Sequence, residues 1–212
     1  MRSASAYDAV TVDAFGTVVE LTEPAARLRE ALARRGVERD PDSVAAAFAA
    51  ESRYYLGHKL RGDDVVSLRA LRVECTRVFL EPLETELDPE EFAADFLEAL
   101  LFRPLDGAVG ALRALRDAGL ALGCVSGWDV GLADQLRRAG LGEFFPVVVS
   151  SAEVGVEKPD PAVFAAALER LGVPPERAIH CGDEEADREG AHAAGMAFEP
   201  IPLATLPERL GL

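Results

Sequence analysis

Positive charge is scarce in this sequence. Against 37 aspartates and glutamates stand 22 lysines and arginines, giving a formal net charge of −15 over 212 residues. Nucleic-acid binding needs a basic surface to neutralise phosphates, so this balance argues against nucleic acid and for a solvated acidic surface. Cysteine is equally sparse. Cys75, Cys124 and Cys181 show neither CxxC nor CxxH spacing, which argues against a zinc site and suggests no disulfide framework; a reducing cytoplasm is the expected compartment. No run reaches the ~18–20 apolar residues of a membrane span. The opening MRSASAYDAV lacks the apolar core of a signal peptide, so no membrane partner is expected. Low-complexity segments and repeats of 20–50 residues are missing as well.

What is present is enough to build a core. Apolar residues make up 49% of the chain, and the length suits one large domain or a domain carrying a smaller insert. Residues 8–13 read as a buried strand. From about residue 22 to 100 apolar positions recur at helical spacing, in four segments that begin near Pro24, Pro41, Asp64 and Pro89. After FRPLDG the rhythm turns to strand–helix alternation with near-continuous apolar strands, the pattern of a parallel sheet covered by helices. The expected fold is α/β: a Rossmann-like three-layer core of residues 1–18 and 101–212, with an all-helical cap of residues 19–100 inserted after the first strand. The insert follows from length, because a βαβ crossover takes a few tens of residues and here the gap is far longer. Such an insert belongs at the carboxyl ends of the strands, where ligands bind and where it can act as a lid.

Four strand ends carry polar residues suited to one task. Asp13 ends the first, Ser126-Gly127 the second, Lys158 follows the third, and Gly182-Asp183 ends the fourth with Asp187 four residues later. A carboxylate such as Asp13 can attack phosphorus or carbon to give a covalent intermediate. Ser126 offers a hydroxyl to a phosphoryl group, and the N–H groups after it are expected at a helix N-terminus that favours anions. Lys158 is one of only two lysines and supplies a fixed positive charge. Asp13 and Asp183 are candidates for Mg²⁺, which prefers oxygen ligands and shares them with phosphate.

DAFGT, CVSGWD, EKPDPAVF and HCGDEEADREGAHAAGM, in this order and spacing, resemble the four motifs of the haloacid dehalogenase superfamily of hydrolases. The resemblance covers nearly the whole chain and is nearest to a phosphatase-like subgroup. It implies a catalytic set of Asp13, Ser126 and Lys158, a phosphate-binding set of Thr17, Ser126, Gly127 and Lys158, and Mg²⁺ held by Asp13, the Phe15 carbonyl and Asp183, with Asp187 in support. The implied partner is a small phosphorylated metabolite; the oligomeric state is not readable. Phosphatases of the superfamily usually carry a second aspartate two residues after the nucleophile, to protonate the leaving group. Phe15 keeps the carbonyl and lacks the acid. A 2-haloacid dehalogenase, which attacks carbon without a metal, also has an aromatic there, but GDEEAD and Phe164 depart from that branch. Phosphonoacetaldehyde hydrolase lacks the second aspartate too, but its Schiff-base lysine would have to be Lys59. A catalytically weak member that binds a phosphorylated ligand is also compatible with the loss of the acid. His180, Cys124 and Cys181 read as buried strand residues. The orientation of Tyr54, Tyr55, His58 and Lys59 is left open.

Overall fold

The computed structural model describes residues 6–212; residues 1–5, part of the opening stretch that lacks the pattern of a signal peptide, lie outside the described residues. In chain order the elements are β1 (Ala9–Val12), β2 (Val19–Leu21), α1 (Pro24–Arg34), α2 (Pro41–His58), α3 (Val65–Leu80), α4 (Pro89–Ala99), β3 (Phe102–Pro104), α5 (Ala108–Asp117), β4 (Ala121–Ser126), α6 (Leu132–Arg138), β5 (Val147–Ser150), α7 (Ser151–Val154), α8 (Ala162–Leu171), β6 (Ala178–Gly182), α9 (Glu185–Ala193), β7 (Ala197–Pro200) and α10 (Leu206–Arg209). Contacts divide the chain into two units, one reaching to Glu20 and resuming over Arg103–Leu212, the other Leu21–Phe102. The short strands β2 and β3, at the two chain boundaries of these units, pair with each other.

The first unit is a Rossmann-like α/β core. Its five strands pair in parallel in the order β5-β4-β1-β6-β7. β1 is central, with Val12 level with Cys124 on β4 and Cys181 on β6. β1 and β6 are buried along their whole length, which requires the apolar runs AVTV and AIHCG rather than an alternating pattern. α8 packs on β4 and β5, α9 on β6 and β7. Because the strands are parallel, Asp13, Ser126 and Gly182 all fall at one edge of the sheet, the carboxyl ends where open α/β folds bind ligands.

The second unit is a bundle of α1–α4. Three of its helices start at an aspartate that caps the free N–H groups of the first turn: Asp40 accepts from Ser43 N at 2.9 Å, Asp64 from Val66 and Ser67 N at 2.7 and 2.8 Å, and Asp88 from Glu90 and Glu91 N at 2.8 and 3.1 Å. Its core includes Leu28, Leu32, Val44, Phe79, Phe92 and Phe96, each worth roughly 1.5–3 kcal/mol when fully buried. One acid shares this interior. Glu51 on α2 is 5% exposed, and burial, offset in part by hydrogen bonds with Cys75 and Ser52, raises its pKa to about 7.

One expectation changes. The N–H groups that follow Ser126 are not at a helix N-terminus. A turn intervenes, in which Asp129 Oδ1 accepts from Gly131 N at 2.7 Å, and α6 begins only at Leu132. Directly after β5, Ser151 opens the short helix α7, started by Ser150 Oγ accepting from Glu153 N at 3.3 Å. Among the described residues no helix is long and apolar enough to cross a membrane.

Candidate active site

Asp13 stands one residue past β1, with its N–H bonded to Cys181 O at 2.9 Å and 6% of its surface exposed. The ammonium of Lys158 reaches it from the loop before α8. Lys158 Nζ donates to Asp13 Oδ1 at 2.5 Å, to Asp187 Oδ1, and to Val125 O at 3.3 Å. Its three protons therefore meet three acceptors, and the whole cluster is buried. Asp187, on the first turn of α9, points inward and not to solvent. Its Oδ1 also meets Nε2 of His180 at 3.1 Å, while Oδ2 accepts from Glu184 N at 3.1 Å. The packing is tight: a Cβ on Gly182 would stand 2.4 Å from the Asp187 carboxyl.

The rest of the predicted set lies around this cluster. Asp183 is exposed and accepts from Thr17 Oγ1 at 3.3 Å. Its carboxylate lies over Gly16, where a Cβ would come within 2.4 Å of Oδ2, and Gly16 has φ +81°, a conformation glycine adopts without cost. Ser126 is buried at the end of β4, one residue beyond the carbonyl that Lys158 meets, and Gly127 follows it half-buried. Phe15 is half exposed. Its backbone bridges to Val19 and Gly16 N donates to Val19 O at 2.9 Å, so a tight turn carries it past Asp13. Asp13, Lys158 and Asp187 are thus in direct contact, Thr17 and Asp183 form a second contact, and Ser126 stands outside both. Phe164 lies fully buried with its ring edge-on to His180, centroids 4.9 Å apart.

The electrostatics follow from three carboxylates and one ammonium. Burial works against the charge on Lys158, but Asp13 and Asp187 outweigh it and hold the lysine protonated. Burial likewise opposes the charge on Asp187; the His180 hydrogen bond and Lys158 overcome this and hold it below the usual carboxylate range. Asp13 is raised, by burial first and by the neighbouring Asp187 charge, with Lys158 opposing. Asp183, although exposed, is raised as well, by partial desolvation first and then by the Asp187 charge. Cys181 is pushed up to about 12 by burial and Cys124 is raised too, so both stay thiols.

Among the described residues no three His, Cys, Asp or Glu side chains form a ready metal cluster. The Asp13 and Asp183 carboxylates are hard oxygen donors, of the kind Mg²⁺ takes together with water and phosphate. The surplus of negative charge fits a divalent cation.

The family profile of haloacid dehalogenase-like hydrolases matches residues 7–195. The chain belongs to this family. This haloacid dehalogenase-like hydrolase is 45% identical over 96 residues to glyceraldehyde 3-phosphate phosphatase of Methanopyrus kandleri, a match covering 44% of this chain and 41% of the relative. It is 33% identical over 162 residues to N-acetylmuramic acid 6-phosphate phosphatase of Pseudomonas aeruginosa, covering 73% and 72%. The first of these matches, like those to the mammalian haloacid dehalogenase-like hydrolase domain-containing protein 3, spans about half or less of the relative's length. Among solved structures, the hydrolase YfnB of Bacillus subtilis, determined with magnesium bound, superposes with a TM-score of 0.73 at 21% identity, covering 97% of this chain and 99% of that one. L-2-haloacid dehalogenases share the fold equally well, so the fold alone does not select the chemistry.

His180 and Thr11 are the members of this site that sequence reasoning missed. His180 reads as a core residue, and Thr11 is one of four buried residues in a short apolar strand. Their only signal is polarity inside a strand buried on both faces.

Proposed function

We propose that this hydrolase is a Mg²⁺-dependent phosphatase acting on a small phosphorylated metabolite through an aspartyl-phosphate intermediate. The observation that carries this reading is the charge pattern. Asp13 sits at the carboxyl edge of the sheet in an ion pair with Lys158, and two further carboxylates, Asp183 and Asp187, lie close by, so that negative charge exceeds what the one ammonium balances. The phosphatases among its relatives support the same reading.

In this reading an Asp13 carboxylate oxygen attacks phosphorus. A P–O bond forms as the bond to the leaving oxygen breaks, and water then cleaves the acyl phosphate to regenerate Asp13 and release inorganic phosphate. Lys158 holds the nucleophile in place and offers positive charge to the phosphoryl oxygens. Ser126, Thr17 and the Gly127 N–H are the donors assigned to those oxygens. Asp13, the Phe15 carbonyl and Asp183 would hold Mg²⁺, which when bound neutralises phosphoryl charge. Phe15 has no proton to give. The substrates that fit are those whose leaving group departs without protonation, such as acyl phosphates. Residues 1–18 and 101–212 serve as the hydrolase core, residues 19–100 as a helical cap, and the three buried free cysteines suit a reducing cytoplasm.

Phe15 itself favours a second reading, metal-independent attack on carbon with halide release. Phosphate release from acetyl phosphate and chloride release from L-2-chloropropionate, each with Mg²⁺ and with EDTA, separate the two. The phosphatase reading expects phosphate release that needs Mg²⁺ and is abolished by Asp13→Asn. Phosphate release that survives EDTA, or chloride release without metal, overturns it.

A further inference from the structure

His180 is fully buried, and its ring is fixed at both nitrogens. Nδ1 lies 2.8 Å from Thr11 Oγ1, and Nε2 lies 3.1 Å from Asp187 Oδ1. The edge contact with Phe164 at 4.9 Å and the ring of Phe198 at 6.4 Å confine it laterally. Asp187 is ion-paired with Lys158 and can only accept hydrogen bonds. Nε2 must therefore carry the proton. Burial keeps the imidazole neutral, which leaves Nδ1 with its lone pair, and the Thr11 hydroxyl donates to it.

We propose that His180 is a positioning residue: as the Nε2–H tautomer, fixed from behind by Thr11, it holds Asp187 in the orientation that presents the Lys158 ammonium to Asp13. The chain Thr11–His180–Asp187–Lys158–Asp13 starts and ends two residues apart, on β1 and just past it, and closes a loop through β6, α9 and the segment before α8. Each link has a direction. Thr11 donates to His180, His180 to Asp187, and Lys158 to both Asp187 and Asp13. Without the Nε2 donor, Oδ1 of Asp187 depends on Lys158 alone, and the ammonium is drawn from the nucleophile toward the buried acid. The proposal rests on the reading of Asp13 as the nucleophile.

Two substitutions and one spectrum test it. His180→Leu removes the donor at similar volume, whereas His180→Gln keeps an N–H donor near the Nε2 position. The expected result is that His180→Leu lowers kcat for acetyl phosphate with Mg²⁺ by about ten- to hundredfold, the range for a lost hydrogen bond to a charged group, while KM moves by less than about twofold. His180→Gln is expected to keep kcat within about fivefold of the parent, since a donor remains. The chain has three histidines, so ¹⁵N spectra of the unsubstituted protein, with His180 identified by its loss in the Gln variant, report the tautomer without any substrate. A neutral Nε2–H ring supports the proposal. An Nδ1–H ring, an unchanged kcat in a folded His180→Leu, or equal losses in both variants overturns it. Should the Leu variant fail to fold, the spectrum and the Gln variant decide. Retained activity in Asp13→Asn would instead refute the phosphatase reading, and the tautomer result would stand apart from it.

Discussion

Phe15→Asp restores the carboxyl that the proposed chemistry lacks, and its effect can be worked out from the turn around it. The backbone at this position is fixed by the bridge to Val19 and by Gly16 N on Val19 O, neither of which needs the ring. Phe15 is 50% exposed, so about half the usual contribution of a buried phenylalanine is lost, roughly 1 kcal/mol. A fourth carboxylate beside Asp13, Asp183 and Asp187 adds repulsion, so the variant should depend more strongly on Mg²⁺ for stability. A general acid is worth ~10²–10⁴-fold, about 3–5 kcal/mol of barrier. The assay is phosphate release from glycerol phosphate, whose alkoxide must be protonated, beside acetyl phosphate, whose acetate need not be. At saturating Mg²⁺ the alkyl ester should gain about 100-fold or more and acetyl phosphate less than about threefold. A folded, Mg²⁺-binding variant with an unchanged ratio of the two rates would refute the reasoning that the missing acid limits turnover.

Two other substitutions probe the two units separately. Gly16→Ala puts a Cβ where Asp183 Oδ2 now lies and forces a residue with a side chain into φ +81°; it should cost about 1–2 kcal/mol of stability and weaken Mg²⁺ binding in calorimetry, and undiminished Mg²⁺ affinity would count against Asp183 as a ligand. Glu51 makes the helical unit sensitive to pH. Its folded pKa of about 7 stands above the ordinary 4.5, so the native state keeps a proton that the unfolded chain has lost. Its contribution is complete below the unfolded value and declines as the pH rises to about 7, by roughly 3 kcal/mol in all. Glu51→Gln should flatten that slope in urea titrations at pH 5, 6 and 8, and an equally steep decline would exclude Glu51 as its source.

The candidate site was legible because strand ends in a parallel sheet share an edge: Asp13, Ser126 and Asp183 each close an apolar run, and continuous burial announces such runs. The helical insert was legible from its aspartate caps and prolines, Asp40-Pro41 and Asp88-Pro89 among them. What the chain conceals is direction. Asp187 sits in a helix whose neighbours are mostly charged, and only contact with Lys158 and His180 shows that it faces inward. Glu51 is hidden similarly, since an acid within AAAFAAESRYY carries no mark of burial, and the packing of α2 on α3 decides it. β2 and β3 are three residues each, too short for any alternation to register, and they exist because each supplies the other's hydrogen bonds.

The central place of β1 also shapes how the chain assembles. Ala9 pairs with Ala121 on one side and Ala178 on the other. On a ribosome making about 5–20 residues per second, the first strand emerges many seconds before either neighbour exists. Of the helices encoded in between, α1–α4 have mostly local partners and can form in that interval. The strand that leads to Asp13 therefore enters the sheet late, and the proposed catalytic site is completed only when β6 arrives on its far side.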